Sequence, residues 1–198
     1  MECLSISALE PEYKTRNNEI QKEAAPIHQG DNQWGRYNRR IATGAGFVAQ
    51  VAEVEVNPAT GQVHVRRMVT AADIGCVLNP IGATGQLEGG MVMGFGGAVM
   101  EDIGLAEGRV QAVGLRQYKL PTAGDVPARE NIFITTGGGQ GPYGAKAVAD
   151  QGLLPAAAAI ANAVYDAVGV RIDDLPITAD KVYAALKEAK SERPANER

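Results

Sequence analysis

Lys146 and Asp150 close a glycine-rich stretch over residues 137–150, GGGQGPYGAKAVAD, and they are the side chains best placed by type and spacing to do chemistry. A short strand-like run, NIFITT, leads into it and an alanine-rich run follows it. A chain that leaves a strand, loops through glycines and enters a helix aims backbone N–H groups and the positive helix end at the loop, which makes a seat for an anion or a cofactor. The segment Gly139 to Lys146 imitates a phosphate-binding loop. That loop needs Lys directly after its last Gly and then a Ser or Thr for Mg²⁺. Here Ala145 intervenes and the hydroxyl is missing, which weighs against a nucleotide triphosphate site. A glycine run before a helix is also, by itself, a turn needing positive φ.

Gln86 is the other polar group of interest, an amide among small residues in IGATGQLEGGMVMGFGG. It is either an ordinary exposed glutamine or an amide that donates and accepts at once, suited to a polar heterocycle. The two histidines, His28 and His64, are far apart, so a histidine metal site is not expected and no residue is assigned to a metal. Cys3 and Cys76 form no CxxC pair, which argues against a disulfide framework and against a zinc or iron–sulfur site made by this chain alone.

The elements that must position these groups follow from patterning. Residues 1–38 are polar and poorly patterned, an arm that needs a partner surface, and residues 39–198 form the domain. FVAQVAEVEV and QVHVRRMVTAAD alternate apolar with polar residues around the turn-forming NPATG, which predicts a β-hairpin with a loop. Asn79-Pro80 then starts a helix. Its seven glycines each cost about 1 kcal/mol relative to Ala, so close approach of another backbone or a bulky ligand is expected there. Short strands are predicted near 103–105, 110–115 and 132–134, the first two around an AEGR turn. A buried helix runs from Asp150 to its stop at Gly169, and Thr178 caps a last helix. The fold class is α+β, a twisted, mostly antiparallel sheet covered by the helices at Pro80, Asp150 and Thr178.

Composition narrows the setting. The 198 residues suffice for one sizeable core. With 19 basic and 23 acidic residues and a net charge of −4, no footprint for nucleic acid or an anionic membrane is visible. No apolar run reaches the ~18 residues of a membrane-spanning helix and no leader pattern opens the chain, so a cytoplasmic protein is expected.

Taken in order, VAEVEVNPATGQV, AADIGCVLNP, GQLEGGMVMGFGGAVMED, YKLPTAGDVP, GPYGAKAVAD and LPAAAAIANAVYDAVGVRIDDLPIT resemble the C-terminal part of the molybdenum-cofactor-binding large subunit of the xanthine dehydrogenase and aldehyde oxidase family. The resemblance implies oxidative hydroxylation of an aldehyde or N-heterocycle with a molybdenum–molybdopterin cofactor. It implies as partners iron–sulfur subunits that pass electrons to a flavin subunit or another acceptor, and the upstream half of the large subunit, which this chain lacks. A glutamate ending a GxKGVGE-like motif is the family's base, and the resemblance carries that role to Asp150, the backbone amide beside it to Ala149, and the pterin-contacting glutamine to Gln86. Asp150 is one methylene shorter than glutamate. A truncated, non-catalytic relative that only folds and associates is the alternative. The chain by itself is expected to bind no cofactor and to self-associate through the surface that the missing half would cover.

Overall fold

The computed structural model describes residues 46–135 and 141–192. The arm over residues 1–38, with Cys3 and His28, and loop residues 137–140 lie outside the described residues.

The hairpin forms as its alternation dictates. β1 (Phe47–Val56) pairs antiparallel with β2 (Val63–Asp73). The Asn57 carbonyl accepts the N–H of Gly61 at 2.7 Å and its side chain accepts that of Ala59 at 2.9 Å, which closes the loop. Glu53 faces Arg67 while Val54 faces Val65, so Arg66 is an extra, bulged residue. The bulge lets both Val65 and Met68 point into the core, although their odd spacing breaks strict alternation.

β5 (Ala128–Phe133) lies on the other side of β2 and runs parallel to it, from Arg67↔Ala128 to Ala72↔Phe133. The sheet order is β1-β2-β5. The last strand therefore begins earlier than the apolar residues 132–134 suggest. The expected ribbon contracts to β3 (Leu105–Ala106) and β4 (Arg109–Val110). Glu107 and Gly108 both have positive φ, 51° and 76°, as a two-residue hairpin turn of the primed type requires. Beyond it Val113 and Leu115 are 85% and 73% exposed, with no facing strand among the described residues to bury them.

Helix α1 (Pro80–Val99) starts where Asn79 Oδ1 accepts the Gly82 N–H at 3.0 Å and Pro80 fills the first turn. Its glycines divide into two sets. A Cβ on Gly94 would lie 2.5 Å from the Ala156 Cβ, and one on Gly90 would lie 3.0 Å from the Leu153 backbone nitrogen. These permit the close approach of backbones that the glycine content predicts. A Cβ on Gly85, Gly89 or Gly97 would meet no neighbour within 4 Å among the described residues, so these positions leave the helix surface bare there.

The helix expected to begin at Asp150 is split. Asp150–Gly152 is a single 3-10 turn, and α2 (Ala156–Val168) begins only after Pro155. Proline has no N–H to continue a helical ladder and disfavours helical backbone in the residue before it, so the apolar run cannot be one continuous helix. Gly169, at φ 72°, ends α2 as expected. Thr178 Oγ1 accepts the Lys181 N–H at 3.4 Å ahead of α3 (Ala179–Glu192).

The helices lie on one face of the sheet. Met68, Met91, Phe95, Ile160, Val164 and Val182 are buried between them and the strands. On the opposite face Phe47 is 70% exposed, Val51 68% and Ile132 45%. The architecture is α+β, with two antiparallel pairings and one parallel one.

Candidate functional site

β2 ends at Asp73, and this buried residue organises the site. Its Oδ1 accepts the Gly75 N–H at 3.0 Å and its Oδ2 accepts Lys146 Nζ at 2.7 Å, with the two side chains only 6% and 5% exposed. Gly75 turns at φ +68°, and a Cβ there would lie 2.2 Å from the Gly144 carbonyl oxygen. Two backbone bonds complete the seam: Cys76 N–H donates to the Gly144 carbonyl at 2.9 Å and Lys146 N–H to that of Ile74 at 2.8 Å. The segment Gly141 to Lys146 is thereby laid along the end of β2. Lys146 is committed to Asp73, with the Phe47 ring centroid 5.8 Å from its Nζ. The lysine thus serves a buried ion pair, and the phosphate-loop likeness finds no support in its placement.

Past Val148 the chain surfaces. Ala149 and Asp150 are both exposed, and the Asp150 carbonyl accepts the N–H groups of Leu153 and Leu154, each at 3.1 Å. The N-terminus of α2 has no side-chain cap, so capping does not account for Asp150. Among the described residues its carboxylate is free of hydrogen bonds and faces solvent.

Gly152, by contrast, is buried and held on two sides. Its carbonyl accepts Gln50 Nε2 at 2.8 Å, and a Cβ on it would lie 2.3 Å from the carbonyl oxygen of Leu87. Gln151 lies against Gly46, where a Cβ would meet its Nε2 at 1.8 Å. Leu87 follows Gln86 directly in α1, and Gln86 is exposed on the same helix face as Gly82, Gly85 and Gly89. The structure therefore brings the helix of Gln86 and the turn of Ala149 and Asp150 together through backbone contacts at Leu87 and Gly90, with all three side chains exposed.

A third segment borders α1 at its C-terminal end. A Cβ on Gly96 would lie 2.0 Å from Glu101 Oε1 and 2.9 Å from Pro121 Cγ, so its absence admits the segment from Tyr118 to Pro127, YKLPTAGDVP, against the helix. Tyr118 OH donates to Glu101 there, and that hydrogen bond, followed by desolvation and the Glu101 charge, raises the phenol above its ordinary pKa. Thr122 donates to Asp125 Oδ2 through its N–H at 2.8 Å and its hydroxyl at 2.7 Å, which holds the Asp125 carboxyl below its usual value.

Sequence reasoning missed Asp73 and Gln50. Asp73 reads as the polar end of a strand, and its partner Lys146 is 73 residues away. Gln50 carries a fainter signal, as the one amide on the otherwise apolar inward face of β1. His64 is exposed on β2, as its lone position suggests. Among the described residues no three His, Cys, Asp or Glu side chains cluster as metal ligands. Cys76 is disulfide-bonded, which corrects the expectation drawn from the missing CxxC pair, because cysteines far apart in sequence can still be joined by the fold. No described helix is long and apolar enough to cross a membrane.

The family model for the molybdopterin cofactor-binding domain matches residues 8–127. The Escherichia coli aldehyde oxidoreductase molybdenum-binding subunit PaoC is 41% identical over 145 residues, covering 72% of this chain and 20% of that subunit. A nicotinate dehydrogenase subunit from Pseudomonas putida is 32% identical over 174 residues, covering 87% of this chain and 14% of its own length. Among solved structures, the aldehyde oxidoreductase of Desulfovibrio gigas aligns with a TM-score of 0.66 at 34% identity, over 72% of this chain and 15% of that one. The chain spans at most a fifth of the length of these relatives.

Proposed function

This chain belongs to the molybdopterin cofactor-binding domain family, in the molybdenum-binding subunits of the xanthine dehydrogenase type, and we propose that it supplies one wall of a molybdenum hydroxylase site with Asp150 as the base. The observation that carries the reading is the exposed Asp150 carboxylate on a turn packed, through Gly152 and Leu87, against the helix of Gln86. The substrate class is an aldehyde or N-heterocycle, as the names of the relatives suggest.

The residues present fit a pterin. Gly85 and Gly89 have no neighbour within 4 Å, so a flat heterocycle can reach the backbone of α1 beside the Gln86 amide. Gln86 would hold its polar edge by donating through Nε2 and accepting through Oε1, and the Ala149 N–H would add a backbone donor. When bound, the molybdenum–pterin group supplies the centre that takes two electrons from the substrate carbon. Asp150 accepts a proton at a carboxylate oxygen, and a base so placed contributes on the order of 100- to 10,000-fold. Its shorter reach makes the position of the turn decisive.

The remaining large-subunit segments would complete the pocket, and iron–sulfur and flavin subunits would carry the electrons away, in the cytoplasmic setting the sequence suggests. The apolar face at Phe47, Val51 and Ile132 supports the first of these, because such a surface is normally covered. Without those segments the same face favours self-association, and the chain would bind no cofactor by itself.

The test is co-expression with those segments in the native cell. The complex should co-purify with molybdenum. Asp150→Asn should keep the metal and lose turnover, and Asp150→Glu should keep or raise the rate. Equal activity of Asp150→Asn and the parent would overturn the base assignment, and a complex without molybdenum would favour the non-catalytic, associating domain.

A further inference from the structure

We propose that Gln50 is a positioning residue for Asp150, holding the 3-10 turn that carries the carboxylate in register with α1; the inference rests on the assignment of Asp150 as base. Gln50 is half-buried on β1, directly across from Thr70 on β2. Its Nε2 donates to Thr70 Oγ1 at 2.9 Å and to the Gly152 carbonyl at 2.8 Å. The Gly152 oxygen can only accept, so the orientation of the amide is fixed by chemistry. Thr70 is fully buried, which anchors the amide to the central strand.

On its far side Gly152 abuts the Leu87 carbonyl, where even a methyl group would sit at 2.3 Å. The turn is therefore clamped between β1 and α1 with no slack. Asp150 is rigidly joined to that clamp, because its carbonyl accepts the N–H groups of both Leu153 and Leu154 at 3.1 Å. A shift at Gly152 tilts the carboxylate with it. Gln50 Oε1 and Gln151 Oε1 are buried without a partner among the described residues, although most buried polar atoms have one. Only the donor half of the Gln50 amide is used, and it joins Thr70 to the turn.

Two readouts test this separately. In the full chain without cofactor, Gln50→Leu should accelerate amide exchange at Leu153 and Leu154 while leaving the β1–β2 amides unchanged. In the assembled holoenzyme it should lower kcat about 10- to 100-fold, as expected for a displacement approaching 1 Å, with KM and molybdenum content held. Gln50→Glu keeps the length but offers no donor when ionised. It should lose activity at pH 8 and regain part of it near pH 5 relative to the parent, where the protonated carboxyl again donates to Gly152; a merely structural role predicts no such acid rescue. Unchanged exchange would overturn the clamp, and accelerated exchange with unaltered kcat would overturn its role in positioning. A parent complex that holds molybdenum yet is insensitive to Asp150→Asn would overturn the base assignment beneath it, whatever the exchange shows.

Discussion

A buried charge is tolerated only when its partner is buried with it, and Asp73 and Lys146 satisfy that condition at 6% and 5% exposure. Removing one partner is far costlier than removing both. Lys146→Met should destabilise the chain by about 3–5 kcal/mol, measured by urea unfolding, because the Asp73 charge remains without its ammonium. Adding Asp73→Asn, which keeps an acceptor for the Gly75 N–H, should recover more than half of that loss; no recovery would show that the lysine acts through packing alone. The sequence shows both residues but not their pairing. Lys146 stands in a glycine loop and reads as an anion ligand, while the carboxylate that takes it is fixed by tertiary geometry. Gln86, Ala149 and Asp150 were visible as candidates through the ordered motifs around them. Gln50 was not, since one polar residue in an alternating strand is ordinary until its amide is seen to meet Gly152.

Helix α1 shows what glycine content can mean at the scale of an element. Gly90 and Gly94 face the 3-10 turn and α2, whereas Gly85 and Gly89 face open space. The sequence indicates that some neighbour comes close, and only the structure separates the glycines used inside the chain from those facing outward. Gly94→Ala should therefore destabilise the fold, since its Cβ would meet that of Ala156 at 2.5 Å and the Leu153 carbonyl at 2.8 Å. Gly89→Ala should do the reverse and stabilise the isolated chain by up to about 1 kcal/mol, from helix propensity. In the assembled enzyme the same Gly89→Ala should lower molybdenum content if the bare face seats the pterin; unchanged metal in a stabilised variant would move the cofactor elsewhere. The hairpin, α1 and the Gly169 stop were readable because each is set by local pattern. The polar start of β5 and the break before Pro155 were not, because the first is set by pairing with β2 and the second lies inside an unbroken apolar run.

Among the described residues the helices cover one side of a three-stranded sheet and leave Phe47, Val51 and Ile132 exposed on the other, in a chain that spans 20% or less of its relatives. The order of strands has a kinetic consequence. β2 meets β1 across a short loop, but it meets β5 only after everything from Ile74 to Pro127 has been brought round. Closing the longer loop costs more chain entropy, so local pairing precedes it. The turn that bears Asp150 lies beyond β5 and docks onto β1 and α1 together, so it can settle only when both are in place. During refolding, pulse-labelled exchange should find the hairpin amides protected before those of Leu153 and Leu154; simultaneous protection would show one concerted step instead. The last part to be assembled is then the turn that carries the proposed base, and a chain caught partway is a hairpin without it.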